Sequence, residues 1–153
     1  MKLAKILFSG LFIAFAATNA LAKDNLTLNH FVNQALTSGI TEVETAKLAL
    51  QKSTSEEVKT FAQQVIDDHT SANKDLAAIA KKKSLKVISK AELLNSAKTF
   101  TIKQEDGESF DEAYAKSQVK AHQDVIELYN RAALLSDVEL AGFATENIPK
   151  LTH

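Results

Sequence analysis

Apolar residues recur along this chain at three- and four-residue spacing with polar residues between them, the pattern of helices that bury one face. The clearest stripe runs Val58, Phe61, Ala62, Val65, Ala72, Leu76, Ile79 and Ala80, with His69 set in its middle. An earlier stripe joins Leu28, Phe31, Val32, Ala35 and Leu36, stops at Ser38-Gly39, and resumes at Val43, Ala46 and Leu50. Because glycine permits a left-handed cap, the spacing predicts a broken first helix. A third long helix, from about Ser109 to Leu135, carries Phe110, Tyr114, Ala121, Val125, Leu128 and Ala132 on one stripe. Val119, His122, Ile126 and Tyr129 form a neighbouring stripe. A short last helix passes through Ala141, Ala144 and Ile148 before Pro149 removes a backbone donor. Between the long helices, Ser89 to Phe100 reads as helical, whereas Thr99, Thr101 and Ile102 favour extended backbone. That mixture predicts a crossover containing a short helix, closed by a turn at Asp106-Gly107.

Five Ser/Thr-x-x-Glu spacings punctuate the same segments: Thr41 with Glu44, Ser53 with Glu56, Ser89 with Glu92, Ser109 with Glu112, and Ser136 with Glu139. In this spacing the hydroxyl accepts from the amide three residues on, and the glutamate reaches back to the cap's own amide. Each is therefore expected to start a helix. Amphipathic helices joined by short connections must bury their faces against one another, which gives an all-α antiparallel four-helix bundle. Its final helix is much shorter than the second, so it leaves apolar surface that a second copy of the chain or a partner helix would cover.

The N-terminal segment adds a compartment. Lys2 and Lys5 precede an apolar run from Ile6 to Ala17, and Ala20-Leu21-Ala22 offers small residues for cleavage, so residues 1–22 read as a signal peptide and 23–153 as a single domain. A periplasmic or secreted protein is expected, without a stable transmembrane span after processing. Residues 1–22 carry two of the 18 basic residues and none of the 19 acidic ones, so the processed chain has net charge 16 minus 19, or −3. Its one lysine cluster, Lys81 to Lys83, falls at a helix end, where cations complement the helix dipole, and no nucleic-acid partner is implied. Cysteine is absent, which excludes disulfides, thiolate metal sites and a cysteine nucleophile. No Gly-x-Ser-x-Gly sequence or phosphate-cradling glycine loop occurs among the four glycines, so hydrolase and nucleotide-binding readings lose their support.

The candidate chemistry is imidazole set into apolar seams. His69 and His122 each lie mid-helix, and packed helices bring mid-helix positions to one level, where a carboxylate such as Glu42 or Asp68 can join them. Two nitrogens with one or two oxygens suit iron, zinc, manganese or copper. The competing reading is structural: buried imidazoles hydrogen-bonded to neighbours that fix the register of the helices. Di-iron bundles use Glu-x-x-His, and here Ile66 and Val119 occupy the positions three before His69 and His122. His30 and His153 are weaker candidates, and Tyr114 and Tyr129 read as core rings.

The stretches TEVETAKLALQKS, EVKTFAQQVIDDHTSANKDLAAIAKKK, FDEAYAKSQVKAHQDVIELY and ENIPKL span nearly all of the processed chain. With Asp68-His69, Asn73, Leu76, Phe110-Asp111, Tyr114 and His122, they resemble the bacterial domain of unknown function 4142 family, secreted ferritin-like helical proteins often labelled outer membrane proteins. The resemblance implies a ferritin-like bundle in the cell envelope, with Glu42, His69 and His122 where that family's pattern places a glutamate and two histidines. The chain departs from it near Val87-Ile88, where a proline is usual. The function expected is a non-enzymatic envelope protein with a role in metal binding or stress tolerance. The alternatives are a metal-dependent oxidoreductase acting on oxygen or peroxide, and an interaction module completed by a partner helix.

Overall fold

The computed structural model describes residues 26–99, 102, 104 and 108–152. The expected signal peptide, the turn at Asp106-Gly107 and His153 lie outside the described residues. Among the described residues five α-helices follow in order: α1 (Leu28–Lys52), α2 (Glu56–Lys82), α3 (Lys90–Thr99), α4 (Phe110–Ala132) and α5 (Val138–Asn147), with a 3-10 turn over Ile148–Leu151. The described residues contain no strand, so the chain is all-α. No helix among them is long and apolar enough to cross a membrane.

The expected break in the first helix is absent, and α1 runs on through Gly39 and Thr41. Two local forces explain this. The Thr41 hydroxyl, expected to cap a new helix, instead donates back to the carbonyl of Thr37 at 2.9 Å, as Thr37 does to Asn33 at 2.8 Å and Thr45 to Thr41 at 3.0 Å. Such back-bonding keeps a hydroxyl inside a helix. Glu44, its supposed partner, pairs with Lys47 at 2.8 Å. Gly39 marks close packing: a Cβ there would lie 2.3 Å from Asn73 Oδ1 on α2.

The remaining starts agree with the sequence to within two residues. Ser109 and Glu112 form a complete capping box, and Ser89 and Glu92 make the same reciprocal pair at 2.8 and 3.2 Å. In α2 the cap is Ser55, which accepts from the Val58 amide, while Ser53 supports Ser55 by accepting its amide at 3.0 Å. In α5 the cap is Asp137 rather than Ser136. Asp137 also takes Lys83 at 2.7 Å, and Glu139 takes Lys82 at 2.9 Å, so those two carboxylates clamp the end of α2 to the start of α5. The α2 terminus reverses through Ser84 at φ 54, with the Leu85 amide bonded to the Ala80 carbonyl.

Contacts between helices give their directions. Gly39 meets Asn73 across the α1–α2 hairpin, so these two helices are antiparallel. Phe61 meets Tyr114 and His69 meets His122, so α2 and α4 run the same way, as the α3 crossover allows. The crossover is tied to α1 by side-chain amides: Asn29 and Asn33 accept from the amides of Lys86 and Ile88 at 3.0 and 2.8 Å. Two apolar clusters result. The larger joins Phe31, Leu36, Leu76, Leu128, Tyr129, Leu140 and Phe143; the smaller joins Ala46, Ala49, Ala62, Val65 and Tyr114. Glu42, His69 and His122 each fall in sequence between residues of the two clusters, a polar layer between greasy ones.

Candidate metal centre

Helical periodicity puts one polar group from each of three helices into this layer. On α1, Glu42 shares its face with buried Ala35, Gly39, Ala46 and Ala49; on α2, His69 shares its face with Ala62, Val65, Leu76 and Ala80. On α4 the buried face is Tyr114, Gln118, Val125 and Tyr129, with His122 between them. The sequence grouping of His122 with Val119 is corrected here, because Val119 is 59% exposed while Tyr114 and Gln118 are buried. Three carboxylate or imidazole donor atoms, one each from Glu42, His69 and His122, lie within 4.8 Å of one another. The two imidazole centroids are 5.8 Å apart with planes inclined by 42°.

Asp68, the fourth residue singled out from the sequence, is not in this trio. It lines the adjacent cavity, and its charge partly counters the depression of the His69 ring. Adjacent residues on a helix face different ways, which is why both cannot point inward. His30 is exposed at the start of α1, far along the chain from Glu42, and its amide donates to Thr27.

Burial dominates the electrostatics. Glu42 is 3% exposed, and loss of water pushes its carboxyl up to about 7 against a hydrogen bond from Gln118. Desolvation holds the His69 ring down to about 4, with His122 adding to the depression. His122 is lowered too, by desolvation, against a hydrogen bond with the Leu151 backbone that favours its charged form. Near neutral pH the trio therefore presents two uncharged imidazoles and a carboxyl at half-ionisation, which are lone pairs without the positive charge that would oppose a cation.

Several buried polar atoms without a protein partner gather here, while another, Asp111 Oδ1, lies at the start of α4. Among the described residues, Glu42 Oε2, Tyr114 OH, Gln118 Oε1 and His122 Nε2 are all buried and unpaired. Buried polar groups are paired in the great majority of cases, so four together call for a common explanation. A bound cation with its water would satisfy all four. The His122 bond to Leu151 has the form that orients a metal-ligating imidazole, in which the ring nitrogen away from the metal donates to a carbonyl. Bonds of about 2 Å in tetrahedral geometry put donor atoms about 3.3 Å apart. The trio reaches that spacing by closing about 1.5 Å at its widest, within the range of side-chain rotation.

Gln118, Tyr114 and Leu151 were not among the residues expected at the site. Gln118 had a readable signal, since it lies four residues from both Tyr114 and His122 and so shares their stripe. The Leu151 carbonyl had none, because a backbone atom's role depends on where the chain returns.

Beside the imidazoles lies a cavity of about 100 Å³, lined by Phe61, Val65, Ala72 and Tyr129, and by Asn147, Lys150 and Leu151 at the chain's end. His69 and His122 form part of its wall; Glu42 does not. Asn147 is held there by donating to the Phe143 carbonyl at 2.8 Å and accepting from Lys150 at 3.3 Å.

No curated protein and no solved structure matches the chain. A family model described as a domain of unknown function, DUF4142, matches residues 13–153, nearly the whole sequence, and the chain therefore belongs to that family.

Proposed function

We propose that this protein is a cell-envelope metal binder, a ferritin-like four-helix bundle of α1, α2, α4 and α5 that holds one divalent transition ion between Glu42, His69 and His122. The observation that carries the proposal is the convergence of these three donors, one buried and two at the edge of the core, from three helices and within 4.8 Å. Two imidazoles and one carboxylate suit zinc, iron or copper better than the all-oxygen shell that magnesium or calcium prefers. The bundle reading is supported by the helix directions, with α2 and α4 parallel across a crossover. The envelope reading is supported by the charged, apolar and small-residue order of residues 1–22. Self-association is supported by Leu134 and Val138, which stand 81% and 85% exposed where α4 meets α5.

Titrating the metal-free processed protein with zinc by calorimetry tests the proposal. One ion per chain is expected, lost in His69→Ala and in His122→Ala while circular dichroism shows both variants still helical. No uptake by the unmodified protein, or undiminished uptake by both variants, ends it.

A second reading, a metal-dependent oxidoreductase acting on oxygen or peroxide, is favoured by the cavity beside the imidazoles. The absence of Glu-x-x-His pairs weighs against a di-metal form of it. Peroxide consumption that requires added iron or manganese, and that disappears in His69→Ala, would make it the better account.

A further inference from the structure

Three helices supply a donor to the proposed site, and α5 with its 3-10 extension supplies none. In place of a fourth ligand that side presents the cavity of about 100 Å³, whose wall includes both imidazoles but not Glu42. Three protein ligands leave at least one coordination position open. Asn147, Lys150 and Leu151, at the end of α5 and in its extension, face His69 and His122 across this cavity, which puts the cavity on the side of the site where a coordination position is open.

Charge and size then limit what fits. Ligating imidazoles are neutral, so a dication bound by them and one carboxylate keeps one net positive charge. A buried charge is costly until it is paired, which favours a ligand of charge −1. Lys150 and Asp68 in the cavity wall bear opposite charges and leave that preference unchanged. A dry cavity of about 150 Å³ holds benzene, so about 100 Å³ holds roughly four heavy atoms. Phe61, Val65, Ala72 and Leu151 make much of the wall apolar, Gln64 and Asn147 add polar side chains, and the volume is what limits the size of the anion.

We infer that this cavity is a binding site for a small inorganic monoanion that completes the coordination of the metal. The inference rests on the metal site proposed above. It deepens that reading by naming what the site receives: an anion of two to four heavy atoms, entering from the α5 side.

The test uses the processed protein loaded with cobalt(II), with azide as the probe and visible absorption as the readout. Cobalt uptake is measured first, and its absence would overturn the metal site and this inference together. With cobalt bound, azide is expected to shift the absorption bands saturably. Ala72→Leu, which places bulk in the cavity without touching a ligand, is expected to keep one cobalt per chain and to weaken azide at least tenfold. Leu151→Ala, which widens the cavity and keeps the backbone carbonyl, is expected to keep azide binding and to admit imidazole, which the unmodified protein rejects. Cobalt bound with no spectral response to azide overturns the inference and leaves the metal site standing. Equal azide affinity in Ala72→Leu also overturns it, and the Leu151→Ala result covers the case in which the leucine variant fails to fold.

Discussion

Replacing Glu42 with glutamine isolates the energetic cost of the buried carboxyl. Glutamine has nearly the same shape and carries no charge, so Gln118 and the surrounding helices meet a similar group. The carboxyl titrates near 4.5 when solvated and near 7 in the fold. A group whose folded value is raised contributes its full stability below the unfolded value, and that contribution is lost as pH rises through the folded value. The window here is therefore from about pH 4.5 to about pH 7, with stability falling as pH rises. At ~1.4 kcal/mol per pH unit the whole loss is about 3 kcal/mol, most of which falls between pH 5 and pH 8. Glu42 is almost fully buried, so solvent screening does not reduce this figure. Glu42→Gln escapes the loss. In chelator-treated protein, urea unfolding at pH 5 and pH 8 should show the variant gaining most of that ~3 kcal/mol relative to the unmodified chain across that interval. Other groups titrate alike in both proteins and cancel. With zinc at a thousand times Kd the order should reverse, because saturation then adds about 4.1 kcal/mol, more than the loss, to a protein that binds and nothing to one that does not. A stability difference that stays flat with pH would refute the reasoning, since it would mean that Glu42 is solvated.

Zinc affinity should fall toward tenfold per pH unit below pH 7 and level off above it, because the ion must displace the Glu42 proton; calorimetry at pH 6 and pH 8 checks this. Thr41→Ala should change stability by less than about 0.5 kcal/mol, since its hydroxyl serves a carbonyl inside a continuous helix, whereas Ser109→Ala should cost about 1 kcal/mol as the loss of a capping box; thermal melts compare them. Leu140→Ala should cost 2–5 kcal/mol by denaturant titration, because this fully buried residue anchors α5 to the larger cluster.

The helices were legible because their information is local. Stripes at 3.6-residue spacing survive any tertiary arrangement, and the caps at Ser89 and Ser109 act within three residues. Thr41 shows where such reading stops. A threonine followed three residues later by glutamate satisfies the capping pattern whether or not the chain turns there. What decides is Gly39 packed against Asn73, a contact between residues 34 positions apart. The site divides the same way. His69 and His122 announced themselves as polar groups in apolar stripes, and Glu42 followed from its face on α1. The hydrogen bond of His122 to the Leu151 backbone and the cavity wall formed by Asn147 and Lys150 come from the chain returning to its own middle. No local pattern encodes that return.

The central claim is that two imidazoles and one carboxylate close on a single ion. X-ray absorption at the zinc edge of the stoichiometric complex tests it most directly. The account predicts two histidine nitrogens at about 2.0–2.1 Å, with their outer-ring scattering, and a carboxylate oxygen at about 2.0–2.2 Å. A shell made only of oxygen, or one unchanged in His69→Ala and His122→Ala, would contradict it.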